Sequence, residues 1–417
     1  MVRAPAVHAA IEFFLNHLPP TQHLVVVTRE DPPLPLPRLR ASGQMIEVRA
    51  ADLSFNVEEA AAFLGAGMGL RLTEQQVAAL VERTEGWAAG LQLAGLAMRD
   101  QADPAAFVEA FTGGHRLVVD YLMAEVLERQ PVVVRRFLLV TSVLDRLCAP
   151  LCDELLAGEP DSAGASPPAI KSQQVLEELE AANLFLVPLD DERMWYRYHH
   201  LFADALRGRL AREAGRGAPA VFHRQASVWF GRQGLLPEAI SHALAGDAVD
   251  DAATWLEALM PSMFATMSIH QSLADWLAAL PEPVVRSRSL LCLMQAWLLI
   301  HRVELEPAAA WVEAAAQALS AADHDAARQP HGAVAATRAY LATVGLAGVP
   351  KDVDVLAEQA LADLAPDDGT FRGVAAASLG QAALAMGQLD RAEEAFAAAA
   401  MVSRAAGLAH GAVVAAL

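Results

Sequence analysis

Residues 25–40 read VVVTREDPPLPLPRLR, a run of valines that stops at a polar triplet and then breaks into prolines. The stretch Leu24–Val27 predicts a buried strand, because valine favours a pleated sheet and the prolines end it. Ligands bind at the carboxyl ends of strands in an open α/β sheet, and Arg29 follows this strand. Arg29 is therefore a candidate ligand contact. The alternative is a surface arginine paired with Glu30 or Asp31.

Two further elements flank this strand. A helix is predicted at Val7–Leu18 and a second short strand at Met45–Val48. Residues 1–50 would then hold about one and a half βα units, too little for a complete doubly wound sheet. We expect them to be the end of an α/β domain.

The rest of the chain is expected to be mainly helical. Hydrophobic residues make up 54% of the 417 and aromatic residues 6%, and the apolar positions recur at helical spacing. In residues 51–105, Ser54 or Asn56 can cap one helix and Thr73 another, each followed by Glu or Gln in the first turn.

Residues 106–215 have the element order of a winged helix. Helices are predicted at 115–129, 132–140, 149–156 and 172–182, and hairpin strands at 184–188 and 195–198. The helix in the position of a DNA-recognition helix carries Glu177, Glu178 and Glu180 and no arginine. Because phosphates repel these carboxylates, a module that packs against protein is favoured over a DNA reader.

From residue 216 the chain is predicted to form stacked helix pairs. The residues Leu379, Gly380, Ala383, Gly387, Ala392, Phe396 and Ala399 follow the spacing of a tetratricopeptide unit. We expect Gly387 and Ala392 at a close helix crossing, with Phe396 buried between the helices. Gly234 and Ala239 repeat the step from Gly387 to Ala392, which indicates a degenerate superhelix.

Composition limits the classes of function. The formal net charge of −19 disfavours direct nucleic-acid binding by this chain. The three cysteines give no disulfide framework, and no secretory signal or run of the ~20 apolar residues of a membrane span is present, so a cytoplasmic location is expected. Cys148 and Cys152 could face one side of a helix, but packing is favoured over metal binding.

Sequence motifs for catalysis are missing. No G-x-x-x-x-G-K-[ST] loop occurs, because Lys171 precedes Ser172 but follows Ile170 rather than glycine. The G-x-S-x-G motif of a nucleophilic serine is also absent from the sequence. We therefore expect no enzyme activity from this chain.

Several segments resemble the large ATP-binding LuxR-type regulators of the maltose-regulon activator (MalT-like) family, which belong to the signal transduction ATPases with numerous domains (STAND). The segments are 25–40, 84–94 (TEGWAAGLQLA), 116–122, 141–148 and 229–230. The resemblance implies a C-terminal remnant of a P-loop NTPase domain at 1–50, a helical domain at 51–105, a winged-helix domain at 106–215 and an incomplete TPR-like superhelical sensor domain at 216–417.

The resemblance also implies a nucleotide site. Arg29 would contact the terminal phosphate of ATP, and Gly86 and Trp87 would form the turn beside the adenine, where Ala88 replaces the proline of related ATPases. His199 would contact the β-phosphate of ADP. The alternative role for His199 is that of a structural cap. ATP and ADP are the cofactors of the full-length family, and tight binding to this chain alone is not expected.

In the resembled family an inducer, a small molecule or a protein, binds the superhelix, the protein self-associates, and a C-terminal LuxR helix-turn-helix binds promoters. We find neither a Walker motif nor that helix-turn-helix in this sequence and expect a partial regulator. Two alternatives stay open: a stand-alone tetratricopeptide scaffold that binds protein partners and no nucleotide, and a winged-helix repressor.

Overall fold

A computed structural model gives the fold of most of the chain. It describes all residues except 1–4, 20, 29–30, 33, 99–103, 113, 158–170, 214, 216, 264–269, 321–327, 345–351 and 406–417. The described chain forms two compact units, residues 1–226 and 227–417. Both are built mainly of helices, as the sequence predicts.

The first unit begins with helices and ends in the winged helix. Its helices are α1 (Pro5–Asn16), α2 (Leu36–Ala41), α3 (Val57–Ala62), α4 (Glu74–Thr84), α5 (Ala88–Met98), α6 (Pro104–Ala110), α7 (Arg116–Leu122), α8 (Val132–Thr141), α9 (Ala149–Ala157), α10 (Ser172–Ala181) and α11 (His200–Glu213). Its strands are β1 (Leu186–Pro188) and β2 (Tyr196–Tyr198). One turn of 3-10 helix covers Ala50–Leu53, and π-helical turns extend α3 through Gly67 and α7 through Leu127.

The segment before residue 50 differs from the sequence prediction. Leu24–Val27 and Met45–Val48 form no strand, and Val25, Val27 and Ile46 are 82%, 93% and 94% exposed. A valine run supplies strand propensity, but a strand also needs a hydrogen-bonded neighbour, and the described residues offer it none. The prediction of a buried strand is therefore wrong for this chain, whereas the predicted helix at Val7–Leu18 is present as α1.

The predicted helix caps are present. The side chain of Asn56 accepts a hydrogen bond from the Glu59 amide, and that of Thr73 accepts one from the Gln76 amide. In each pair the acidic or amide side chain returns a bond to the capping residue, so α3 and α4 both begin with a capping box.

The predicted wing is also present. β1 and β2 pair antiparallel with Val187 opposite Arg197. A third strand-like contact, which the sequence analysis missed, joins Leu147 to Tyr196 through both backbone hydrogen bonds. Tyr196 and Phe202 are fully buried, so the hairpin lies on the helical core.

Helix α12 (Ala218–Arg232) reaches into the second unit. That unit continues with α13 (Leu236–Ala245), α14 (Val249–Met263), α15 (His270–Ala279), α16 (Glu282–Ser287), α17 (Ser289–His301), α18 (Leu305–Leu319), α19 (Arg328–Val344), α20 (Val353–Asp363), α21 (Gly369–Ala385) and α22 (Leu389–Ala405). Among consecutive helices, contacts are most extensive in the pairs α17/α18, α19/α20 and α21/α22, and next most extensive in α13/α14 and α20/α21. This is the TPR-like arrangement that the sequence predicts.

The helix crossing in the last pair is shifted from its predicted position. Gly387 lies in the exposed turn with φ +73°, and the close approach is at Gly380, where an added Cβ would lie 2.8 Å from the Phe396 ring. Ala392 is buried, as expected, but Phe396 is only half-buried. The spacing identified the helix pair but assigned the crossing to the wrong glycine.

Replacing Phe396 by alanine should destabilise the α21/α22 pair by about 2–3 kcal/mol, somewhat less than for a fully buried ring. Hydrogen exchange should rise in α21 and α22 and stay unchanged in α13 and α14, because stacked pairs couple mainly to their neighbours. Leu384→Ala, at a side chain that is 52% exposed in α21, is the control and should change little. An even rise across the second unit would contradict a stack of pairs.

None of the described helices is both long and apolar enough to cross a membrane.

Candidate functional site

The turn between α4 and α5 forms one side of the site. Glu85 and Gly86 are both left-handed, with φ 50° and 70°, and together they reverse the chain before α5. The Phe55 amide donates to the Gly86 carbonyl at 2.8 Å, and a Cβ on Gly86 would lie 2.5 Å from the Phe55 carbonyl oxygen. Only glycine fits here, because both the positive φ and the space exclude a side chain.

The junction of β2 and α11 forms the other side. The His199 amide donates to the Phe185 carbonyl, and the His199 carbonyl accepts from the amides of Phe202 and Ala203, so His199 begins α11. His199 is 8% exposed, and its Nε2 lies 2.9 Å from the carbonyl oxygen of Thr84, the last residue of α4. The contact joins residues 115 apart in the sequence.

This contact sets the protonation of His199. A carbonyl oxygen can only accept, so Nε2 carries the proton and donates it to Thr84. Burial lowers the pKa of His199, although the Glu85 carboxylate opposes this shift. The neutral ring then has no proton on Nδ1, and that atom is buried without a hydrogen-bond partner.

A half-buried ion pair lies beside the histidine. The Glu85 carboxylate accepts hydrogen bonds from Nη1 and Nη2 of Arg197, both at 2.8 Å, and from the backbone amide of His200 at 3.1 Å. Burial raises the pKa of Glu85, but these bonds and the positive charge nearby outweigh it, and the pKa falls to about 2. The stabilisation from this carboxylate is thus present above about pH 4.5 and lost as the pH falls toward 2.

Aromatic rings surround the joint. Trp87 lies 5.0 Å from Phe185, 5.7 Å from Tyr121 and 6.1 Å from His199, measured between ring centroids. The rings of Phe185 and His199 meet Trp87 edge to face, and aromatic packing of this kind excludes water and strengthens the hydrogen bonds nearby. Trp87 is half-buried rather than fully enclosed.

Three of the four residues named from the sequence therefore meet in one place: Gly86, Trp87 and His199. Arg29 lies outside the described residues, although Asp31, one of its possible partners, pairs with Arg49 at 2.7 Å. Sequence reasoning missed Glu85 and Arg197. Both lie in segments that the sequence analysis used. The signal that could have found them is their opposite charge, with a glutamate directly before the turn glycine and an arginine on the wing.

Among the described residues, no group of three or more His, Cys, Asp or Glu side chains is placed to hold a metal ion. Cys148 and Cys152 are buried in the winged helix, and burial raises the pKa of both thiols. Neither is activated as a nucleophile.

Residues 123–218 match the family model of the MalT winged helix domain. Over 397 residues, or 94% of this chain, the sequence is 31% identical to the HTH-type transcriptional regulator MalT of Yersinia enterocolitica. This chain is a MalT-like protein. The resemblance inferred from the motifs is thereby confirmed.

Other relatives have the same region in a different context. A serine/threonine-protein kinase, PknK of Mycobacterium tuberculosis, is 36% identical over 292 residues, or 69% of this chain. The MalT-like chain spans 25% of the length of that kinase and 42% of the length of the Yersinia MalT. A solved STAND protein with a tetratricopeptide repeat sensor from Pyrococcus horikoshii aligns with 87% of this chain and 56% of its own, at 13% identity and a TM-score of 0.45.

Proposed function

We propose that this chain is the signal-sensing and nucleotide-switch segment of a MalT-like transcriptional regulator that acts in the cytoplasm. The joint between the α4–α5 turn and the winged helix would report the nucleotide state. The helix pairs of the second unit would bind the inducer, a small molecule or a protein. The observation that carries the proposal is the buried joint at His199, with one nitrogen bonded and the other unpartnered.

The unpartnered nitrogen fits a phosphate only under one condition. Nε2 is committed to Thr84, so a second hydrogen bond from His199 must come from Nδ1. Nδ1 must gain a proton to donate, and the ring then carries a positive charge that an anion stabilises. ATP or ADP, when bound, would supply that negative charge. His199 is therefore proposed to take up a proton as the nucleotide-bound form assembles.

Direct DNA binding is not assigned to this chain. Glu177 and Glu178 are exposed on α10, the helix in the recognition position, and would repel a phosphate backbone. The two relatives, a protein kinase and a transcriptional regulator, differ in their outputs, although both share this region. We infer that the region controls an output rather than performing it, and that self-association and promoter contact involve other parts of a regulator.

Two substitutions separate a sensing role of His199 from a capping role. The amide nitrogen of glutamine can replace Nε2 and keep the bond to Thr84, while asparagine places a polar atom near the position of Nδ1. With His199→Gln at the chromosomal locus, the joint should survive but the phosphate contact should be lost. Transcripts that depend on this gene should then rise several-fold without inducer, since a charge-assisted bond contributes about 1.5–3 kcal/mol.

The dependent transcripts are defined by comparing the wild-type strain with a deletion strain. His199→Asn, which breaks the Thr84 bond, tests whether loosening the joint alone has the same effect. Wild-type transcript levels in His199→Gln would assign His199 to capping only. A deletion that changes no transcript would support the stand-alone scaffold instead.

A further inference from the structure

Glu85 occupies a costly position on its own helix. It follows the last residue of α4, at the negative end of the helix dipole, where a carboxylate is unfavourable. Its backbone is left-handed, with φ 50°, which costs a residue other than glycine about 1–2 kcal/mol. The left-handed backbone helps to reverse the chain, but glycine would adopt it without that cost. The choice of glutamate is accounted for by what its side chain touches outside the turn.

The side chain of Glu85 caps a helix of the winged domain. It accepts the amide of His200, the first residue of α11, where a carboxylate faces the positive end of the dipole. Arg197, on β2, holds the same carboxylate through both guanidinium nitrogens. A carboxylate that is unfavourable on α4 is thus favourable on α11.

The winged domain returns the same kind of contact. His199 donates from Nε2 to the carbonyl of Thr84 at the end of α4, and a hydrogen-bond donor is favourable at that end of a helix. The end of α4 is therefore capped by His199, which precedes α11, and the start of α11 is capped by Glu85, which follows α4. The side chains of Glu85 and Arg197 are only 21% and 28% exposed, whereas Arg193 in its pair with Glu180 is 66% exposed, so solvent screens the Glu85–Arg197 pair less.

We propose that these reciprocal caps form a latch that holds the α4–α5 region closed on the winged helix, with Glu85 as the residue that positions His199. Opening would uncover Glu85, Arg197 and the Thr84 carbonyl in one step, so the latch should be either wholly made or wholly broken. Its regulatory role rests on the proposed function, because opening is the change that a signal would have to bring about. The latch itself rests on the contacts alone.

The test is a double-mutant cycle read by hydrogen exchange. Glu85→Gln removes the charge, and Arg197→Met removes the donors but keeps the aliphatic stem. Each single variant should exchange about tenfold faster than wild type in peptides covering residues 74–98 and 199–213, the change expected when about 1.4 kcal/mol is lost. The double variant should be no faster than the faster single variant, because both remove one interaction.

Arg193→Met is the matched control, since it breaks an arginine–carboxylate pair that joins the same hairpin to Glu180 of α10 without reaching α4. It should leave exchange in 74–98 unchanged. The latch is refuted if the rate increases of the two single variants multiply in the double variant. It is also refuted if Glu85→Gln leaves exchange in residues 74–98 unchanged, or if exchange rises equally in α8 and α9. The measurement needs no nucleotide and no promoter. A latch found together with normal transcription in His199→Gln would refute the proposed function and leave the latch in place.

Discussion

Gly86→Ala should destabilise the α4–α5 region by about 2–5 kcal/mol, one of the two largest effects expected in this chain. Two costs add. Alanine is strained at φ +70°, and its Cβ would lie 2.5 Å from the Phe55 carbonyl oxygen and 2.9 Å from the Phe55 amide nitrogen. The carbonyl and amide are backbone atoms, so the clash cannot be relieved by a side-chain rotation. Hydrogen exchange in α4 and α5 measures the loss.

Gly69→Ala separates the two costs. Gly69 also has a positive φ, +76°, but nothing lies within 4 Å of an added Cβ. Only the backbone strain of about 1–2 kcal/mol should appear there. Equal effects at Gly86 and Gly69 would mean that the contact with Phe55 is not part of the folded turn.

Tyr196→Ala should destabilise the winged helix by about 3–5 kcal/mol. Tyr196 is fully buried, and its backbone pairs with Leu147 and with β1 at the point where the wing meets the helices. For a unit of this size the melting temperature should fall by roughly 6–20 °C. Differential scanning calorimetry of the whole chain, in which the transition of the first unit moves and that of the second does not, is the measurement.

Trp195→Ala is the control for this prediction. The Trp195 ring is half-buried and stacks under the Arg146 guanidinium at 4.5 Å. Losing that contact should cost about 1 kcal/mol. A larger effect at Trp195 than at Tyr196 would mean that the hairpin packs against the core through its other face.

Local signals predicted most helices and the wing correctly. Asn56 and Thr73 cap α3 and α4 as their spacing indicates, and the turn at Asp190 and Asp191 separates two strands. These features depend on residues within a few positions of one another. Propensity and capping therefore suffice to predict them.

The errors arose where a pattern needs a distant partner. The valines at 25–27 have strand propensity, but the described chain gives them no strand to pair with, and they are exposed. In the last helix pair the turn at Gly387 and the crossing at Gly380 both need small residues, for different reasons. Spacing alone cannot tell a positive φ from a close approach.

The sequence by itself determined the helical class, the winged helix and the helix pairs, and it named Gly86, Trp87 and His199 as candidate site residues. The tertiary structure alone decided what His199 touches. Its partner Thr84 lies 115 positions earlier, and Glu85 meets Arg197 across 112. The Glu85 carboxylate interacts unfavourably with the dipole of its own helix and favourably with that of α11. No pattern of neighbouring residues could predict the second interaction. The sign of a helix-end interaction depends on which end lies beside the charge, and folding sets that.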